Sequence, residues 1–295
     1  MRPLAAALGV AGMWPRLCLL LAVVAVAFLA LGGDSIASSS RAVLHGLCAQ
    51  RPSHSFTIGG QALPFDARMT GIYTGALWTW AVLAQRGRLL AAGTPPRSVI
   101  VVLVATVCAL GVDGVNALAV DLGMWHPYEP MNVVRFLTGF GTGLSLVSLE
   151  VWLIGGSLWK LASQRPLWDS LISLWWAVPA AFITIVLILL DMEWSYVVMV
   201  SLLLVSAWIT VSGLVLVIVA TLFRVDKRAT SVRRLELPLI LSAVGGLAII
   251  IALAQLRFWL ERTLGIPQDF EPIASIPPGS ILAAMSSFVR GLIAA

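Results

Sequence analysis

Residues 98–120 read SVIVVLVATVCALGVDGVNALAV, and this stretch decides the fold class. It runs 23 residues with one charged side chain, Asp113. A helix of roughly 20 apolar residues crosses a hydrocarbon core of about 30 Å, so this stretch reads as a membrane span. Working outward, comparable stretches fall at 13–32, 69–84, 131–158, 171–190, 195–223 and 237–256. The expected fold is therefore all-α: a polytopic membrane bundle of seven helices, the second of them short. Composition points the same way. Hydrophobic residues make up 59% of the 295 and charged residues 11%, against about 25% charged in a soluble domain. With 19 basic and 14 acidic side chains there is too little charge to cover a soluble surface. Three cysteines, Cys18, Cys48 and Cys108, are too few for a disulfide scaffold.

Charge sets an expected orientation. Basic residues crowd alternate connections: Arg2 and Arg16; Arg86, Arg88 and Arg97; Lys160 and Arg165; then Arg224, Lys227, Arg228, Arg233 and Arg234. Two intervening loops carry Asp121 with Glu129, and Asp191 with Glu193. By the positive-inside rule the N-terminus is cytoplasmic and the C-terminus outside. The net charge of +5 thus follows from topology, and no nucleic-acid partner is expected. A bacterial inner membrane is the default location. The first span, 1–32 with its flank, reads as a retained anchor, with a secretory signal as the alternative. An outer loop, 33–68, follows it; then come a module of helices two to four, 69–160, and helices five to seven, 161–256. In the closing segment, 257–295, a proline-rich run precedes Ile281, Leu282, Met285, Phe288, Val289, Leu292 and Ile293 at helical spacing. That pattern suits either an interfacial amphipathic helix or one packed on the bundle.

Ionisable side chains at membrane depth cost at least about 2.5–3.5 kcal/mol and are functional candidates by default. Arg68, Asp113 and Arg135 share the outer leaflet by their positions along the spans, with Asn116 one turn from Asp113. Asp113 between two arginines would be neutralised, and two readings of the set stand side by side. It is either a structural ion network or an anion site with a surplus arginine offered to a carboxylate or phosphate. Glu150 lies deeper on the face of Arg135, as a proton-linked group or a hydrogen-bonded partner of a threonine such as Thr106 or of ordered water. Gly71 and Gly75 on the face of Arg68, and Gly139 and Gly143 near that of Arg135, would let helices two and four approach closely.

Motifs for chemistry are sparse. His45, Cys48, His54 and Asp66 are all competent zinc ligands within one loop, but their spacing matches no zinc signature. No metal or other cofactor is expected. Cys48 facing an oxidising compartment is either a reactive thiol or a pairing partner for another protein's cysteine. The run from Gly139 to Gly143, Gly-Phe-Gly-Thr-Gly, lacks the strand and lysine of a nucleotide loop.

The loop and second span read Cys48-Ala-Gln-Arg-Pro-Ser-His-Ser-Phe56, Ile58-Gly-Gly-Gln-Ala-Leu-Pro64, Ala67-Arg68 and Thr70-Gly-Ile-Tyr-Thr-Gly75. This resembles the signature C-H-Q, S-F, G, P-x-C-x-R-C-x-G-x-Y-x-G of a bacterial and archaeal family of small polytopic membrane proteins, a domain of unknown function. Asp113-Gly-Val-Asn116 and Asn132-Val-Val-Arg135-Phe-Leu-Thr-Gly139 resemble it as well, so the likeness covers about residues 43–146. Where that family carries a cysteine pair around the arginine, this chain has Asp66 and Met69, and Ala49 replaces its histidine. The resemblance implies the fold and the polar cluster, and its lost cysteines count against metal or redox work.

Three functions are therefore expected in order. The first is a non-enzymatic binding or complex-assembly subunit, with the bilayer and a protein as partners. The second is a small-solute or ion carrier lined by Arg68, Asp113, Arg135 and Glu150. Last comes a membrane enzyme acting on lipid or thiol at the outer face.

Overall fold

The computed structural model describes residues 36–89, 91–158, 163–222 and 236–265. The expected span 13–32, its signal alternative, the basic residues 224–234 and the amphipathic segment after 280 lie outside these residues. The described chain is mostly helical, with seven helices: α1 (Ile36–Leu44), α2 (Ala67–Gln85), α3 (Arg97–Asp121), α4 (Asn132–Leu158), α5 (Ala177–Leu189), α6 (Glu193–Leu222) and α7 (Glu236–Leu264). Five segments, Arg97–Asp121, Asn132–Ser157, Leu171–Leu189, Glu193–Ala220 and Leu237–Leu264, are long and apolar enough to cross a membrane.

The helix α2 occupies the expected second span but is not one of the five. Arg68, three threonines and two glycines dilute its apolar content, which neighbouring helices make tolerable by covering it. Thr70, Thr74 and Thr79 are buried with their hydroxyls bonded to backbone carbonyls, Thr74 to that of Thr70 at 2.7 Å and Thr79 to that of Gly75 at 2.7 Å. The opposite case is α3, mostly apolar but for Asp113 and Asn116 and largely open, with Val101 66% and Val115 69% exposed. Such a surface is suited to lipid.

Helix ends follow local rules. Asp66 caps α2, its Oδ1 accepting the Met69 N–H at 2.8 Å. At the far end of α3, Gly123 takes φ +65°, and the Met124 N–H returns to the Ala119 carbonyl at 2.8 Å. This left-handed glycine stop satisfies carbonyls that the helix would otherwise leave open.

Two small sheets amend the all-α expectation. In the outer loop, β1 (Ser55–Ile58) pairs antiparallel with β2 (Gln61–Asp66). Gly59 and Gly60, at φ +58° and +73°, supply the two left-handed residues of a tight hairpin turn. Ile58, Leu63 and Phe65 are fully buried, so the hairpin is seated on the bundle by its apolar face. At the other end of the bundle, β3 (Ala91–Gly93) pairs parallel with β4 (Ser163–Pro166). Arg88 clamps that pair through the Pro166 carbonyl at 2.9 Å and the Asp169 carboxylate at 2.8 Å.

The last span, expected over 237–256, is longer in the structure, because α7 continues to Leu264. Arg257 and Glu261 pair one turn apart at 2.7 Å and tie this last stretch to the loop after α1. One end of the bundle thus gathers α1, the hairpin, the 122–131 connection, the 190–192 turn and the end of α7. Gly59 N–H donates to Asp191 at 2.6 Å, and Arg51 pairs with Asp121 at 2.8 Å, across that end.

Candidate functional site

The helices α2 and α4 run parallel in the closest contact of the fold. Gly71 lies against the Phe136 carbonyl and Gly75 against that of Phe140. Reciprocally, Gly139 lies against the Arg68 carbonyl and Gly143 against that of Ile72. A Cβ on any of the four would strike backbone, which cannot swing aside. At this range each glycine Cα–H points at a carbonyl oxygen, a weak attraction worth about 0.5–1 kcal/mol. The contact fixes Arg68 and Arg135, both near the hairpin end, on adjoining helices.

Asp113 on α3 completes the cluster. It is 1% exposed, and its Oδ2 accepts from Arg68, whose Nε lies at 3.2 Å. Its Oδ1 accepts the Tyr128 hydroxyl at 3.0 Å. Asn116 donates to the Tyr128 carbonyl at 2.8 Å, while its own buried Oδ1 has no partner. Burial first, then the bond to Asp113 and its charge, raises Tyr128 above the ordinary phenol value, so it remains an O–H donor.

Arg135 departs from the expected triad. It is 6% exposed, and its Nη1 donates to Asn132 Oδ1 at 3.0 Å. Among the described residues no carboxylate lies within salt-bridge distance of it. Asp113 is therefore shared with Arg68 alone. His54, in the short turn before β1, feels the unpaired charge: burial first, then Arg135 and Arg51, hold it below the ordinary 6.5. Tyr128, Asn132 and the placement of His54 were missed in the sequence. Asn132 carried a signal, since a residue three before an arginine shares its helix face.

Glu150 does not join this cluster. It lies 18 residues after Asn132 on α4, about 27 Å along the axis. Its Oε1 occupies the place a Cβ on Gly213 of α6 would take, and neither of its oxygens has a hydrogen-bond partner. Thr106, one of the partners weighed for it, instead donates to the Gly141 carbonyl at 3.0 Å and meets Ser145 at 2.8 Å.

The four loop residues read as zinc ligands are not brought together. Asp66 is engaged as the cap of α2. His45 is buried, with Nδ1 at 3.1 Å from Gln50 Oε1 and Nε2 at 2.7 Å from Glu261. The Gln50 amide is fixed by donating to the Arg41 and Pro64 carbonyls at 2.9 and 2.8 Å, so its oxygen faces the imidazole. Cys48 is buried and its sulfur accepts two backbone N–H groups, from Gln50 and Asp66, each at 3.3 Å. Burial, then the Asp66 charge, pushes its thiol up to about 12, leaving little thiolate for nucleophilic work. Among the described residues no three His, Cys, Asp or Glu side chains gather as a metal would need.

Residues 48–149 match the model of the DUF2085 family, described as a predicted membrane protein. The match covers about a third of the chain, from Cys48 through the glycine contact, and holds Arg68, Asp113, Asn116 and Arg135 but stops short of Glu150. No curated protein and no solved structure matches the chain. With its five long apolar helices, the chain is a multi-pass membrane protein similar over this stretch to that family.

Proposed function

We propose that the chain is a non-enzymatic binding or assembly subunit whose α2–α4 module holds an anion at Arg135. The observation that carries this reading is a buried guanidinium without a carboxylate among the described residues, beside a second arginine whose charge is already met by Asp113. Burying an unpaired charge costs several kcal/mol, so the arrangement favours a ligand that brings the missing negative charge. A guanidinium offers paired donors suited to a carboxylate or a phosphate. The His54 imidazole and the Tyr128 hydroxyl lie close enough to feel the same charge.

Orientation belongs to the proposal. Arg86, Arg88, Arg97 and Arg165 lie at the end opposite the hairpin. Placing that end in the cytoplasm turns the anion site outward, in a bacterial inner membrane. The anion then comes from a lipid headgroup or from an acidic side chain of a partner subunit.

The test uses the protein in nanodiscs of neutral lipid. Wild type is expected to gain thermal stability saturably with inorganic phosphate, or with anionic lipid doped into the disc. Arg135→Gln should lose that gain and Arg135→Lys keep part of it. Equal saturable gains in wild type and Arg135→Gln would overturn the reading.

A further inference from the structure

The interior of the bundle holds a second polar site, independent of Arg135 and about 22 Å from it along α4 by residue spacing. Glu150 is 1% exposed, and both of its oxygens are buried without a donor among the described residues. On the facing helix α6, Gly213 lacks the side chain that would exclude the carboxyl. Thr210, one turn before Gly213 on the same face, is 2% exposed, and its hydroxyl also has no partner. Ser206, a further turn along, is not available, since it donates to the Tyr73 carbonyl.

Among the described residues no counter-charge faces this carboxylate. The described charged groups of the packed elements lie elsewhere: Arg68 at the start of α2, with Arg86 and Arg88 in the turn after it; Arg97, Asp113 and Asp121 on α3; Glu193 at the start of α6. Arg86 lies over the Trp168 ring, and Arg88 is paired with Asp169. On α7, which packs on the other side of α6, Arg257 and Glu261 pair with each other near the hairpin end, and Arg262 follows them. An ionised carboxylate so placed is costly by several kcal/mol unless a positive charge reaches it.

We propose that Glu150 is a small-cation site, at which a proton or an alkali ion neutralises the carboxylate between α4 and α6. The shared chemistry is one positive charge delivered to two otherwise bare oxygens, with the unpartnered Thr210 hydroxyl one turn from Gly213 along α6. A proton adds to one carboxylate oxygen as an O–H; an alkali ion is held by both oxygens without covalent change. The site lies eight residues before the end of α4, about 12 Å from the end opposite the hairpin. Exchange therefore occurs with the aqueous phase on that side.

Infrared difference spectra of the protein in nanodiscs test this. One titration raises pH at constant salt; the other replaces choline chloride with sodium or potassium chloride at constant pH and ionic strength. The expected result is a saturable carboxyl or carboxylate band change in one titration, absent in Glu150→Gln. A protonated-carboxyl band that fades with pH identifies the proton, and a carboxylate shift saturating with alkali salt identifies the metal ion. Spectra in which wild type and Glu150→Gln change alike in both titrations would sink the proposal. Should the glutamine variant fail to fold, Glu150→Asp retracts the carboxylate from Gly213, and an unmoved midpoint would have the same consequence. Phosphate is left out throughout, so failure at Arg135 does not bear on the outcome.

Discussion

At the scale of the residue, the site is governed by which arginine receives the single carboxylate. Asp113 meets Arg68, and Arg135 keeps a neutral asparagine. His54 reports on the difference. Its value is depressed in the folded protein by burial, Arg135 and Arg51, so its contribution to stability is present above the ordinary 6.5. That contribution is lost as pH falls through the depressed value, because the unfolded chain then binds the proton more readily. Thermal unfolding followed downward from pH 7 should show this acid-side loss, and His54→Gln should flatten it. Anion bound at Arg135 should lessen it as well, since ligand and proton at adjoining positions are linked. The presence of Arg135 in the polar set was legible in the sequence, because an arginine inside an apolar run stands out. Its partner was not, since spacing along a helix does not say which of two arginines a carboxylate on another helix will meet.

Among the elements, the α2–α4 contact was the most legible. Glycines four apart on two spans mark faces that can meet, and Gly71, Gly75, Gly139 and Gly143 each lie against a carbonyl of the other helix. Gly139→Ala and Gly143→Ala should each cost about 1–3 kcal/mol in reversible unfolding, as overpacking against rigid backbone does. Gly111→Ala, where nothing lies within 4 Å, should be neutral or gain up to about 1 kcal/mol from helix propensity. Equal effects at the two kinds of position would contradict the packing account. The helix positions from residue 67 onward were legible for the same reason, as long apolar runs leave few alternatives. The hairpin was overlooked although its signal was present: Gly59-Gly60 between short apolar runs is a two-residue turn. The β3–β4 pair had no such signal, because its strands are short and 70 residues apart.

Across the whole molecule, the end of α7 is fastened to the loop after α1 by residues more than 200 positions apart. Glu261 accepts from Arg257 at 2.7 Å and meets His45 at 2.7 Å, and Phe258 stacks on the His45 ring at 4.3 Å. No local pattern could reveal this clasp. Glu261→Gln should loosen it by about 1–3 kcal/mol, the cost of leaving charged donors poorly met. Hydrogen exchange should then quicken at residues 45–50 and 257–264, while α2 and α4 stay protected; uniform quickening would refute a local clasp. The parallel α2–α4 contact also bears on biogenesis. The two helices can meet only once α3 and α4 have both been synthesised, so the tightest seam of the protein closes after the α2–α3 contact can form. Until then the Arg68–Asp113 pair is the polar link available between α2 and α3. A charge pair within the finished bundle can therefore act as the temporary latch of its assembly.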